Sequence, residues 1–290
     1  MFIYKYIVRF YFSIKNYWPL WFNVLNKKGR DLFENNKPEV DEVSRKVIDE
    51  LKNNGITTTS LDALFPGQNL LKKLTDYTTT LHPESAEQGS KSFLKKYWDK
   101  HPVFNLTNPF LALTLNKKVL AIINSYMGMW TKLKYYDLAM TLPVGESAEA
   151  IKSQRWHRDP EEKRMCKMFI YLTDVDESAG PFTYVEKSVY GMKYGSLFKQ
   201  KTPEGVYPDK ALVEKAIDKK DIKVMTAKAG TVIFCDTSGI HKGGYATTKP
   251  RLMSTSFFSS GTYSEKKYFS IPEKTDLSSL SKEALYAINK

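Results

Sequence analysis

The stretch Gln154-Arg155-Trp156-His157-Arg158-Asp159 sets an imidazole and a carboxylate two positions apart. In an extended chain such residues project to the same face, so His157 and Asp159 can offer a nitrogen and an oxygen to one point. A second imidazole, His241, comes soon after the apolar run Thr231 to Cys235, and Arg251 opens a further apolar run. Two histidines and one carboxylate on one face of a metal leave its other positions open, which is the arrangement of non-haem Fe(II) oxygenase centres. A 2-oxoglutarate cosubstrate would chelate such an iron through its 2-oxo acid end. Its far carboxylate then needs a partner, and a guanidinium is a planar, permanently charged fork for one. Arg251 is the candidate for that contact.

Residue counts narrow the alternatives. With four histidines in the chain, any metal site must draw on His82, His101, His157 and His241. His82 and His101 each precede a proline and are expected in loops or at the surface. The cysteines, Cys166 and Cys235, lie in apolar runs and read as core thiols. They can form neither a disulfide framework nor a multi-thiolate zinc site, and a reducing, cytoplasmic setting is the simple reading. The formal charge of +12 comes from lysine spread along the whole chain, which supports solubility and nonspecific attraction to anions and nothing more specific.

These residues have to be positioned by a fold that changes character midway. Residues 38 to 55 carry Pro38, acidic Glu39, Asp41 and Glu42, and Val43, Ile48 and Leu51 at helical spacing, with Gly55 as a stop. Residues 67 to 81 and 108 to 127 give two more helical patterns. From Trp130 onward the chain reads as short strands: 130 to 142, 165 to 173, 182 to 185, 222 to 227, 231 to 235 and 252 to 259, punctuated by glycine and proline. Tyr135 and Tyr136 are expected on opposite faces of the first of these. Such a run of strands suggests a sandwich or barrel. The helical half and the β half are expected to share one core. Residues 1–30 form an aromatic and basic segment, 31–265 a single domain (helical to about 129, β from about 130 to 262), and 263–290 a polar tail with one short helix near Ser279 to Ile288.

The first segment contains aromatics from Phe2 to Phe22 interrupted by Lys5, Arg9 and Lys15. It holds no run of 18 uncharged apolar residues and no clean cleavage site, so neither a spanning helix nor a signal peptide is expected. It reads as a helix packed on the domain or as a peripheral membrane contact through residues 1–26.

The ordered pieces resemble the phytanoyl-CoA dioxygenase branch of the 2-oxoglutarate/Fe(II) oxygenases. The matching pieces are Trp156-His157-Arg158-Asp159, Gly180-Pro181-Phe182 with Val185-Glu186-Lys187-Ser188, Ala229-Gly230-Thr231-Val232-Ile233-Phe234, then His241 and Arg251. Val185 to Ser188 lacks the family's Pro-Gly and His, Thr231 replaces its Asp, and Gly243 replaces a small hydroxyl residue that often contacts the cosubstrate. The resemblance implies a mostly β fold with flanking helices: a double-stranded β-helix (jelly roll, cupin-like) with the helices packed on one face and the metal in the barrel mouth. It also implies that Tyr171 lines the cosubstrate pocket. Asp159 speaks against a halogenase, which replaces that carboxylate with a small residue. Arg251 is the last arginine, which speaks against the nucleic-acid repair branch with its second arginine. A His-Arg-Asp kinase loop would need Asn where Arg164 stands.

The expected activity is a dioxygenase using Fe(II), 2-oxoglutarate and O2, which hydroxylates a small-molecule, lipid-like or carrier-linked substrate and releases succinate and CO2. No specific nucleic-acid partner is expected, and the oligomeric state stays open. The competing reading is a catalytically idle jelly-roll module that binds anionic membrane or an assembly through its basic surface.

Overall fold

The computed structural model describes residues 2–81, 93–98, 102–145, 147, 149–202, 204–263 and 267–289. His82 and His101 lie outside the described residues. The strands are β1 (Ile56–Ser60), β2 (Leu94–Lys96), β3 (Lys132–Thr141), β4 (Cys166–Tyr171), β5 (Thr183–Val185), β6 (Ile222–Val224), β7 (Thr231–Cys235), β8 (His241–Lys242) and β9 (Arg251–Ser259). They make a six-stranded antiparallel sheet ordered β1-β7-β4-β9-β3-β2 and a three-stranded sheet ordered β6-β5-β8.

Side-chain alternation divides the large sheet into two uses. On β4, Cys166, Met168 and Ile170 join Val232 and Phe234 of β7 and Leu252 and Phe258 of β9 in a core shared with the helices. Lys167 and Phe169 of the same strand line a cavity together with Met253, Thr255 and Phe257 of β9. The sheet is thus buried on both faces, one by helices and one by the small sheet and its loops. This is the jelly-roll arrangement with helices on one face.

The helices on that face start and stop on local signals. Helix Glu42–Asn54 begins after Asp41, whose carboxylate accepts from Ser44 N at 2.8 Å, and ends at Gly55. Pro38 therefore precedes the helix rather than sitting in its first turn. The apolar pattern over 108 to 127 is two helices, Pro109–Thr114 and Lys117–Met127, because Asn116 caps the second with its side chain. Leu51, Leu120, Ile122 and Ile123 are buried against the sheet. The last helix, Lys282–Ile288, also reaches this layer: Ala284, Ala287 and Ile288 are buried in the core although their segment is polar overall.

The first helix, α1 (Phe2–Lys15), leads into a π-helical turn, Leu20–Leu25. Trp21 of that turn is fully buried, and its indole N–H donates to Glu162 at 3.1 Å. No helix among the described residues is long and apolar enough to cross a membrane.

Candidate metal centre

His157 and His241 meet because their backbones pair as an antiparallel bridge outside the large sheet. His157 N donates to His241 O at 2.8 Å, and His241 N donates to His157 O at 2.9 Å. Directly opposed residues project to one side, and the imidazole centroids lie 4.2 Å apart. Asp159 follows on the same face, its backbone N–H held by Thr237 O at 2.9 Å. Between them Arg158 turns the other way. It donates to Ser188 O and Ser238 O at 2.6 Å each, to Leu197 O at 2.9 Å and to Tyr194 O at 3.0 Å, pinning the surrounding loops.

One ligand atom from each of His157, Asp159 and His241 lies within 4.8 Å of the others, a group that could hold a metal ion. The ring chemistry fits this. His157 Nδ1 is 2.8 Å from Arg155 O and His241 Nδ1 is 3.0 Å from Gly239 O. A carbonyl only accepts, so each Nδ1 carries the proton and each Nε2 carries the lone pair that a metal takes. The two Nε2 atoms lie 3.6 and 3.9 Å from Asp159 Oδ1. Burial, with the neighbouring His157 second, lowers the His241 pKa to about 3, so its ring is neutral near pH 7. Burial alone would raise Asp159. Lys167, with the two histidines, outweighs it and holds the carboxyl well below the usual range.

Lys167 stands outside the set of residues that the motif spacing points to. Its ammonium donates to Asp159 Oδ2 at 2.5 Å from within the sheet. The available signal was its place in an apolar strand, two and four residues before Phe169 and Tyr171, which fixes it on their face. Tyr135 stands beside Lys167, and burial raises its pKa to about 12, whereas Tyr136 packs into the helix-side core.

The cavity is about 410 Å³ and contains the triad in its wall. Arg251 also reaches this wall and is buried to 3% exposure. Its guanidinium donates to Gly180 O, to Gly243 O at 2.7 Å and to Thr141 Oγ at 3.3 Å. Close backbone approach makes this possible. A Cβ at Gly244, which has φ 80°, would fall 1.9 Å from Gly180 O, and one at Gly180 would fall 2.5 Å from Ala246 N. Tyr171 is not among the residues that line this cavity. It stands one layer behind, hydrogen-bonded to Arg251, with its hydroxyl accepting from Phe182 N at 3.2 Å.

The departures from the family pattern have local reasons. Gly243 donates to Ser153 O at 2.6 Å, and a Cβ there would sit 3.0 Å from that oxygen. Thr141 brings a hydroxyl to Arg251 from β3 instead. In the Val185 to Ser188 turn, Lys187 takes φ 58°, a conformation glycine adopts more easily. The Ser188 hydroxyl closes the turn by donating to Val185 O at 2.7 Å and accepting from Ile240 N at 2.7 Å. Cys166 and Cys235 are both buried thiols, as their apolar settings suggested.

No curated protein matches this sequence. Solved structures do. The epimerase SnoN, in complex with Fe3+, alpha ketoglutarate and nogalamycin RO, superposes with a TM-score of 0.56 at 15% identity, over 78% of this chain and 86% of that one. EctD from S. alaskensis with bound Fe gives 0.50 at 15% identity, over 80% and 83%. At such identities the likeness establishes the shared fold. The family itself is settled by sequence: the model described as phytanoyl-CoA dioxygenase matches residues 69–253. The chain belongs to the phytanoyl-CoA dioxygenase family of non-haem iron, 2-oxoglutarate-dependent oxygenases.

Proposed function

We propose that His157, Asp159 and His241 hold the iron, and that Arg251 binds the far carboxylate of 2-oxoglutarate. The reaction on this reading is hydroxylation of a small-molecule, lipid-like or carrier-linked substrate, with release of succinate and CO2. The observation that carries it is the convergence of two Nε2 atoms and Asp159 Oδ1 in the wall of a cavity that also exposes Arg251. Iron(II) bound there, with 2-oxoglutarate and O2, supplies the oxidising power.

The chain's own residues do the rest. Arg155 O and Gly239 O fix the imidazole orientation. Tyr171 and Thr141 brace the guanidinium so that its fork is set before a carboxylate arrives. Phe169, Phe182, Phe257 and Tyr263 give the cavity an apolar lining that excludes water. An idle module would have no use for proton-fixed imidazoles aimed at one carboxylate.

SnoN is an epimerase, so this fold serves outcomes other than hydroxylation. Screening metabolites for stimulated 2-oxoglutarate consumption, with 18O2 as oxidant, decides between them. Hydroxylation predicts one 18O in the organic product, and a product without 18O dismisses it. His157→Ala and Asp159→Ala should each abolish succinate formation; wild-type turnover in either removes the proposed ligand from the set.

A further inference from the structure

The helix α1 is mounted inside out. Its outward residues are Tyr6 (65% exposed), Ile7 (60%), Phe10 (66%), Tyr11 (57%) and Ile14 (47%), and Tyr17 (62%) just past its end is exposed too. At about 100° per residue these helix positions span an arc of roughly 140°. The side turned to the domain mixes half-buried Val8 and Phe12 with polar groups. Arg9 pairs with Glu204, Asn16 Nδ2 donates to Thr202 Oγ at 3.4 Å, and Lys15 is buried. A helix that merely covered a core would have the opposite polarity. The exposed face is aromatic and aliphatic, with no partner among the described residues.

The surroundings say what covers it. Lys199 and Lys201 are exposed in the segment that holds α1 through Thr202 and Glu204, and the whole chain carries +12. Exposed Tyr190 stacks on Trp18 at 5.8 Å, under Lys163. Tyrosine and phenylalanine rings with exposed lysines on the adjoining segment suit the headgroup level of an anionic bilayer, where rings enter the acyl boundary and ammonium groups meet phosphate. A protein partner suits this face less, because lysines such as Lys199 and Lys201 are depleted from protein interfaces.

We propose that α1 docks this protein on anionic lipid bilayers, with its outward face in the interface and Lys199 and Lys201 on the headgroups. This goes beyond the oxygenase reading and does not depend on it. The docking segment also touches the metal site. Gln200 Nε2 donates to Asp159 O at 2.5 Å, Thr202 Oγ donates to Pro160 O at 2.6 Å, and the Tyr207 ring stacks on His157 at 5.6 Å. The loop that carries α1 is therefore the loop that packs on the triad, so docking holds that side of the site against the bilayer.

The test is flotation of the full chain with phosphatidylcholine vesicles, with and without phosphatidylglycerol. The wild type should float with the anionic vesicles, less so at high salt and less with phosphatidylcholine alone. Ile7→Glu/Phe10→Glu should reduce flotation at least ~10-fold, and Lys199→Glu/Lys201→Glu should remove its dependence on phosphatidylglycerol. All three proteins should keep the same circular dichroism spectrum and the same uncoupled 2-oxoglutarate consumption. Absence of wild-type flotation, or equal flotation of Ile7→Glu/Phe10→Glu, overturns the proposal. So does a dimer in solution that the same two substitutions dissolve while vesicles capture nothing, because the face would then belong to a second copy.

Discussion

Lys167 donates to one oxygen of Asp159 while the other faces two imidazoles: Nζ to Oδ2 is 2.5 Å, and Oδ1 lies 3.6 Å from His157 Nε2 and 3.9 Å from His241 Nε2. The carboxylate is therefore oriented before a metal arrives, and it presents a single oxygen. Without a metal, Lys167 is also the main positive charge compensating the buried Asp159. Lys167→Met should destabilise the metal-free protein by ~3 kcal/mol, since it leaves an uncompensated carboxylate. A divalent metal replaces the lost charge, so adding Mn(II) should recover much more stability in the variant than in the wild type. Urea denaturation of both proteins with and without Mn(II) reads this difference. An equal loss in both states would show that Lys167 serves packing alone.

Arg251 meets backbone carbonyls, the Thr141 hydroxyl and Tyr171 in a setting of 3% exposure. Arg251→Ala should raise the KM for 2-oxoglutarate by ~10- to 100-fold, the worth of one charge-assisted contact of about 1.5–3 kcal/mol. Tyr171→Phe touches only the brace and should cost about 3-fold in the same KM with kcat retained. Initial rates of succinate release against 2-oxoglutarate concentration separate these. A Tyr171→Phe effect as large as that of Arg251→Ala would put the hydroxyl on the cosubstrate itself.

The order of H-x-D, Gly-Pro, distal His and Arg made the site readable, because period-two alternation and antiparallel pairing suffice to bring His157, Asp159 and His241 together. The same alternation, carried along β4 from Tyr171, leads to Lys167. A lysine in a strand ordinarily marks the solvent face, and here neither face is solvent, so its type alone gives no sign of its role. The resemblance points to Tyr171 because the family often has an aromatic residue there, and alternation along β4 gives it a face and not a depth. Of the strands, β1 reads Ile-Thr-Thr-Thr-Ser, too polar to signal an edge strand, yet it pairs with β7 along its length. The apolar period over 108 to 127 runs unbroken through Asn116 and so signals one helix, where the cap makes two.

Glu162 fixes the turn after α1. It is fully buried and accepts from Trp21 Nε1 at 3.1 Å, from Ser260 N at 2.9 Å and from Ser260 Oγ at 2.6 Å. Glu162→Ala would orphan these donors, and a loss of ~2–4 kcal/mol is expected. Trp21→Ala should cost ~3–5 kcal/mol by leaving a cavity. The two share a contact, so the double variant should lose measurably less than the sum of the single losses. Additive losses in chemical denaturation would mean that the indole and the carboxylate act independently.

Asp41 links a helix start to a distant lysine and gives a pH signature. Its carboxylate bonds Lys118 Nζ at 2.6 Å and Ser44 N at 2.8 Å, and these contacts, Lys118 first, lower its pKa from 3.8 to about 2. A depressed folded-state pKa stabilises above the unfolded value, and that contribution fades as pH falls from 3.8 toward 2. Asp41→Asn keeps the cap but loses the charge. The pair is solvent-exposed, so the variant should be less stable than wild type by only ~0.5 kcal/mol at pH 7. The gap should stay constant down to about pH 5 and narrow below pH 4. Urea unfolding at pH 7, 5 and 3 measures it. A gap that is unchanged at pH 3 would assign the effect to the amide's cap geometry rather than to the ion pair with Lys118.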